Sequence, residues 1–448
     1  MKKTLLIVLI HLLCFSLAKA QDKIEHIILI SIDGLRPEFY LDNKYPAPNL
    51  QDMAIKGTNA KFVKGVFPSV TYPSHTTIVT GVLPREHGIL YNSPFEKEGQ
   101  TGKWYWDAEE IKAETLWETI NKNGGTTASL FWPVTVNAAI DYNIPEVWPL
   151  DKEEDRMEYL KKFVHPAGLL DELMKEATGI LTPSSFDSDG LNREARTAFM
   201  AAHILEKYKP TLLTLHLVGT DHFQHDQGRE GDMVMKSINA VDYAVGQIYE
   251  AVKRHGMAEK TALIITGDHG FADIHTRIDP NVWLVENGLQ ETGNSRGKWK
   301  AAFHTSGASA FLYLKDEKDT KTKKKITAIL ENLPEEQKKM FRILDKKALQ
   351  EAGSSPEAFL ALAPIEGVSM GASNSGPSLS EVKGGTHGFF PDFDNIHTGF
   401  IIFGEGIPQE KIHMMGLEEI YGMVLHLLEI PTDKASLQDL ITKARAEN

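Results

Sequence analysis

The chain has 448 residues, 48 basic and 61 acidic, for a formal net charge of −13, with one cysteine and 42% apolar residues. It is too apolar for a disordered chain, and a pI near 5.7 argues against a stable nucleic-acid partner. One cysteine excludes an internal disulfide and any cysteine-built metal site.

The first twenty residues read as a leader. Lys2 and Lys3 precede an apolar run from Leu5 to Leu17, and Ala18-Lys19-Ala20 offers small residues for cleavage. The run falls short of the ~20 residues a membrane span needs, so residues 1–20 are expected to be a signal peptide, with no span after its removal. The short Lys-rich start looks bacterial and points to the periplasm or the exterior. Cleavage after Ala20 also removes Cys14, leaving a charge of −16 and no cysteine.

Short apolar runs then alternate with helical patterns. His26 to Ile32 reads as a buried strand, and Leu50 to Ile55 as part of a short helix. Ser74 to Thr80 looks helical, with Pro73 in its first turn. Thr126 to Phe131, Thr211 to Val218 and Thr261 to Thr266 are strand-like, and Glu194 to Tyr208 is a helix ending before Pro210. Met233, Ile238, Val241, Ala244 and Ile248 keep a helical period. The charge run from Lys315 to Lys325 reads as a solvated turn and helix start. Ser354 to Gly385, rich in Gly, Ser and Pro, reads as an irregular excursion. Thr398 to Phe403 is a last strand and Leu417 to Leu428 a last helix. Wholly apolar strands separated by helices predict a parallel sheet covered on both faces. The chemistry is expected in residues 21–448 as a single domain, with inserted excursions at about 135–190 and 275–385.

Four polar clusters are each read as sitting just after a predicted strand, where open α/β sheets place their sites. They are Ser31-Ile32-Asp33-Gly34, Asp221-His222-Phe223-Gln224-His225, Thr266-Gly267-Asp268-His269-Gly270 and Gly384-Gly385-Thr386-His387-Gly388. Taken singly, each is as well explained by a turn, a cap or a surface ion pair. Together, Asp33, Asp221, Asp268, His225, His269 and His387 supply the nitrogen and oxygen donors that two zinc-like ions need, without cysteine. Two such ions would clamp the attacking and leaving oxygens of a phosphoryl displacement. Thr71, beside Pro73 at a helix start, is the candidate nucleophile, because a helix N-terminus favours an alkoxide and a bound phosphoryl group. The bland alternative is a Thr helix cap. His304 and His397 read as ordinary core or surface residues.

The segments ISIDGLRP, FPSVTYPSHTTIVTG with PREHGILYN, TDHFQH, ITGDHGF and GGTHGFF occur in the order seen in nucleotide pyrophosphatase/phosphodiesterases. The chain resembles that family of the alkaline phosphatase superfamily from about Ile27 to its C-terminus. The resemblance implies an alkaline-phosphatase-like three-layer α/β/α sandwich with a mostly parallel central sheet. It implies that Asp33, Thr71, Asp268 and His269 hold one zinc and that Asp221, His225 and His387 hold the other. It further implies that Thr71 attacks phosphorus, that Asn92 hydrogen-bonds a non-bridging oxygen, and that Tyr72 sets an aromatic ring against the leaving group. His75 is given a supporting role only. One position departs from the pattern: His216 stands where a Tyr is common.

The expected function is a secreted two-zinc phosphodiesterase or nucleotide pyrophosphatase working through a phospho-threonine on a small phosphodiester or nucleotide. Thr71 followed by Tyr72-Pro73-Ser74-His75 does not fit the formylglycine motif of sulfatases. No Lys or Arg occurs from Thr126 to Asp151, where monoesterase relatives carry cations for the extra phosphate charge. The alternatives are a phosphomonoesterase and a non-catalytic secreted metal-binding protein.

Overall fold

Strand β1, His26–Ile32, sends Ile28, Ile30 and Ile32 into one hydrophobic cluster and Ile27 and Leu29 into another, and all five are fully buried. Alternate side chains of a strand leave opposite faces, so both faces of this one are covered. Each such side chain contributes about 2 kcal/mol on leaving water. The computed structural model describes residues 23–293 and 297–447; the leader expected at residues 1–20 lies outside them.

After β1 come β2 (Thr58–Lys64), β3 (Thr127–Leu130), β4 (Tyr142–Ile144), β5 (Leu212–Leu217) and β6 (Thr261–Thr266). Next are β7 (Ala272–Ile278), β8 (Ala301–Ser306), β9 (Ser309–Leu314), β10 (Phe341–Leu344), β11 (Leu360–Pro364), β12 (Gly367–Met370), β13 (Leu379–Glu381) and β14 (Gly385–Thr386). Finally β15 (Thr398–Gly404) and β16 (Lys411–Gly416) rejoin the main sheet. That sheet has eight strands in the order β16-β2-β15-β6-β1-β5-β3-β4. Strand β1 pairs in parallel with both β5 and β6, so the C-terminal ends of three neighbouring strands open on one edge.

Helices cover both faces. One layer holds α1 (Pro48–Lys56), and the other begins with α2 (Thr71–Thr80) and α3 (Leu116–Lys122). Helix α3 starts in a reciprocal cap, in which the Glu118 amide donates to the Thr115 hydroxyl and the Thr115 amide to the Glu118 carboxylate at 2.9 Å. Helices α4 (Asn192–Tyr208), α5 (Gly219–Gln227) and α6 (Asp232–Arg254) follow β4 and β5. Helix α6 buries Val234, Ile238, Val241, Val245, Ile248 and Val252, a three-and-four spacing that keeps one face on the sheet. On the opposite face, α7 (Glu419–Leu427) and α8 (Leu437–Glu447) pack Ile420, Met423, Val424 and Ile441 with α2 and α3.

One strand departs from the parallel majority of the expected sheet, and one reading of the sequence needs correction. Strand β15 runs antiparallel to both neighbours, with Phe400 opposite Thr266 and Gly404 opposite Ala262. The chain enters it from the edge that carries His387, so it can only run back down. The Gly-, Ser- and Pro-rich stretch from Ser354 to Gly385 holds β11, β12 and β13. Their partners β9 and β7 override the weak local propensity.

One buried histidine ties α2 to the turn that follows it. The Ile89 amide donates to His87 Nδ1 at 3.1 Å, so Nε2 carries the proton and donates to the Thr77 hydroxyl at 3.0 Å. Burial lowers the His87 pKa to about 3. His87→Ala would orphan an amide and a hydroxyl and leave a void, and is expected to cost about 3 kcal/mol in urea unfolding. The neutral ring contributes stability above the unfolded pKa near 6.5 and loses it as pH falls toward 3. The stability of His87→Gln should therefore fall less steeply across that window than that of the wild type.

Candidate active site

Asp33 directly follows β1, and Gly34, at φ +68°, turns the chain there so that its amide donates to Asp268 Oδ1 at 3.0 Å. Beyond β5, helix α5 carries Asp221 and His225 one turn apart, with His225 Nε2 3.4 Å from Asp221 Oδ1. Asp268 and His269 follow β6, and both point into the same site. His387 follows β14, whose glycines let it lie against α5. A Cβ on Gly384 would meet the His225 carbonyl at 2.3 Å, and one on Gly385 the Gln224 carbonyl at 2.6 Å. Thr71 is the first residue of α2 after extended Val70 and stands inside the helix, not at its cap position. Its hydroxyl is therefore not spent as a cap. Asn92, beyond the His87 turn, accepts the Tyr72 amide on Oδ1 at 2.9 Å, which leaves its Nδ2 for the cavity.

Ligand atoms of Asp33, Asp268 and His269 lie within 4.8 Å of one another, and so do those of Asp221, His269 and His387. His269 thus belongs to both groups, while His225 joins through Asp221. All three imidazoles turn Nδ1 to a backbone carbonyl: His225 to Gly385 at 3.0 Å, His269 to Gly270 at 3.1 Å and His387 to Ser69 at 3.1 Å. Each carbonyl fixes the tautomer, so every Nε2 lone pair faces the site.

The electrostatics are severe. Burial, then the charges of Asp268 and Asp221, hold the Asp33 carboxyl well above its usual range. Burial also raises Asp221, with His225 opposing and Asp268 reinforcing. Burial lowers His269 to about 3, and burial with the neighbouring His269 and His225 holds His387 well below its usual range. Among the described residues, Asp33 Oδ1, Asp221 Oδ1, Asp268 Oδ2 and His269 Nε2 are buried atoms without a hydrogen-bond partner. Converging carboxylates and neutral imidazoles with no partner are what a divalent cation would satisfy, so the residues fit a metal centre.

The cavity above this cluster, of about 400 Å³, is lined by Asp33, Thr71, Asn92, Asp221, His225 and His387, with the buried Asp268 and His269 beneath. Tyr72 is fully buried and is not on the wall. Its hydroxyl donates to Glu146 at 2.9 Å and its ring packs edge-on against Trp104, which does line the cavity. Trp148 and Phe186 are the other wall aromatics. His75 stays behind the site, with Nδ1 2.8 Å from the Thr71 carbonyl.

His216 bridges two carboxylates, with Nε2 3.1 Å from Asp33 and Nδ1 3.3 Å from Glu146. Burial opposes its charge, but the two acids outweigh burial and raise it to about 10. Its protons hold Asp33 Oδ2, leaving Oδ1 for the site. The sequence reading also missed Arg156 and Arg193, which line the cavity. A stretch free of cations from Thr126 to Asp151 did not make a cavity free of cations. Arg156 lies just past that stretch, and Arg193, in the first turn of α4, reaches the cavity only through the fold.

Residues 27–389 match the family described as type I phosphodiesterase/nucleotide pyrophosphatase. The chain belongs to this family, within the alkaline phosphatase superfamily. It is 25% identical over 261 residues to ectonucleotide pyrophosphatase/phosphodiesterase family member 7 of Mus musculus, covering 56% of this chain and 51% of that protein. It is 26% identical over 273 residues to a bis(5'-adenosyl)-triphosphatase of Xenopus laevis, covering 58% and 51%. The chain thus spans about half the length of these curated relatives. Its fold is similar to that of an inactive variant of murine ectonucleotide pyrophosphatase/phosphodiesterase 5 in complex with AMP. The TM-score is 0.65 at 19% identity, over 93% of this chain and 100% of that one.

The approach of β14 to α5 gives a direct check. Gly385→Ala forces a Cβ against a helix carbonyl and is expected to cost about 2 kcal/mol in urea unfolding. Because it displaces His387, it should also weaken Zn²⁺ binding measured by titration. Wild-type affinity in the variant would show that the close approach does not set the ligand.

Proposed function

We propose that this chain is a secreted phosphodiesterase or nucleotide pyrophosphatase that uses two Zn²⁺ ions and a phospho-threonine intermediate. The observation that carries the reading is Thr71, uncapping and at a helix N-terminus, opening on the cavity where Asp33, Asp221, Asp268 and three histidines with oriented Nε2 atoms converge. Asp33, Thr71, Asp268 and His269 would hold one ion, and Asp221, His225 and His387 the other. When bound, such ions neutralise phosphate charge and lower the pKa of a hydroxyl or water. Thr71 Oγ1 forms the new bond to phosphorus as the bond to the leaving oxygen breaks, and water then hydrolyses the phospho-threonine. The Thr71 amide at the start of α2 and Asn92 Nδ2 would hold the non-bridging oxygens. A merely structural metal site would need neither Thr71 nor Asn92.

The substrate is a small phosphodiester or nucleotide, a reading supported by the family and by the relative named for bis(5'-adenosyl) triphosphate hydrolysis. Secretion rests on the leader sequence, and among the described residues no helix is long and apolar enough to cross a membrane.

Thr71→Ala should abolish turnover of p-nitrophenyl thymidine 5'-phosphate while metal analysis still finds about two ions per chain. Thr71→Ser should retain part of the rate because it keeps the hydroxyl. Chelation should inactivate the wild type, with Zn²⁺ restoring it better than Mg²⁺, since three ligands are imidazoles. More than a few per cent of activity in Thr71→Ala would falsify the covalent role.

A diester carries one negative charge at phosphorus where a monoester carries two, and the wall beside Asp33 is built of His216 already committed to two carboxylates. The ratio of kcat/KM for the nitrophenyl diester over p-nitrophenyl phosphate is expected to exceed ~10², about 2.7 kcal/mol of discrimination. A ratio near unity would transfer the assignment to the phosphomonoesterases.

A further inference from the structure

Glu146 stands two residues past β4, the edge strand that pairs in parallel with β3 through Leu130 and Ile144. The Phe131 amide donates to the Ile144 carbonyl at 2.7 Å, and Pro145 restricts the backbone that follows. The carboxylate is thus delivered to the same edge of the sheet as Asp33, and both line the cavity. Each of its oxygens has a separate partner. Oε1 accepts the Tyr72 hydroxyl at 2.9 Å, and Oε2 lies 3.3 Å from His216 Nδ1. Tyr72 is held at its other end by Asn92 Oδ1, which accepts its amide. His216 stands on β5 beside Ser31 of β1, two residues before Asp33, and its Nε2 lies 3.1 Å from Asp33 Oδ2. One carboxylate therefore touches both the residue after Thr71 and the residue that grips Asp33.

A carboxylate on the wall of a phosphate-binding cavity repels the group it faces. Both Glu146 oxygens are instead spent on buried partners, Tyr72 and His216. Burial opposes its charge, but His216, Arg193 and Tyr72 outweigh burial and hold it below the usual carboxylate range. The role left to it is mechanical. With Oδ2 taken by His216, Asp33 presents Oδ1 to the metal cluster, 3.3 Å from His269 Nε2. With its hydroxyl on Glu146 and its amide on Asn92, Tyr72 pins the first turn of α2 from two directions.

We propose that Glu146 is a positioning residue for two parts of the site at once: through His216 it turns Asp33 Oδ1 to the first metal position, and through Tyr72 it sets the start of α2 that carries Thr71. This rests on the proposed two-metal hydrolase reading. The two arms fail in different ways. Releasing Asp33 weakens one ion and spares that of Asp221, His225 and His387, whereas releasing Tyr72 misplaces the nucleophile and spares both ions.

The test is a calorimetric Zn²⁺ titration of the chelator-stripped full chain, read beside turnover of p-nitrophenyl thymidine 5'-phosphate at saturating zinc. Glu146→Gln should weaken one of two binding events by about 30-fold and leave the other within about 3-fold. His216→Ala should weaken the same event, and the double variant should lose no more than the larger single loss, since both act through Asp33. Tyr72→Phe keeps the ring and is the variant least at risk in folding. It should leave both zinc events intact and lower kcat about 10-fold with KM nearly unchanged. Equal weakening of both events in Glu146→Gln with a falling urea midpoint marks a merely structural role and overturns the proposal. Unchanged zinc binding in Glu146→Gln, additive losses in the double variant, or a wild-type kcat in Tyr72→Phe overturn it too. A wild type that binds no zinc defeats the two-metal reading and the proposal together, whereas a wild type with two ions beside unaffected variants defeats the proposal alone.

Discussion

Three carboxylates crowded at the ends of three adjacent parallel strands set the terms for the rest of this molecule. Asp33, Asp221 and Asp268 are brought together beyond β1, β5 and β6, the first and last buried and Asp221 on the cavity wall. Such an arrangement is stable only in a frame that cannot relax away from it. The frame is the eight-stranded sheet, whose central strand is buried on both faces by separate hydrophobic clusters. Burial of the sheet and crowding of the acids are one design: the first supplies the rigidity that the second consumes.

The sheet and the donor set were legible in the sequence, and the reason is local. Continuous apolar runs such as TALIIT and the glycine-flanked Asp-His pair announce a buried strand and the turn after it within a few residues. The boundaries of β6 coincide with that run. What was not legible depended on partners far away in the chain. The direction of β15 is decided by where the preceding segment leaves the chain, and β11 to β13 are strands because β9 and β7 are there to pair with them. Likewise Tyr72 follows Thr71 and reads as a wall residue, yet its hydroxyl is drawn into the interior by Glu146. Trp104 takes the position at the surface.

His216 shows how a departure from a family pattern acquires a physical sense. A cation between Asp33 and Glu146 lets two carboxylates approach one another where an uncharged side chain would leave them to repel. It also connects the donor cluster to the cavity wall, since Glu146 holds Tyr72 and feels the charge of Arg193. The wall and the reacting centre are thus joined through charges that compensate one another pairwise, and a change at one is felt at the next.

The division of labour follows from where each group is anchored. The donors and Thr71 stand on strand ends and a helix start of the main sheet, where packing on both faces fixes them to a fraction of an ångström. Glu146, Trp148, Arg156 and Phe186 come from the long connection between β4 and α4, which covers the cavity without entering the sheet. Its Met157, Leu160, Leu169, Leu170, Leu173 and Phe186 join the hydrophobic cluster on one face of the sheet, so core packing holds the wall residues in place. Under the proposed function, the sheet would set the bond that is broken, and this connection would meet the part of the substrate beyond it.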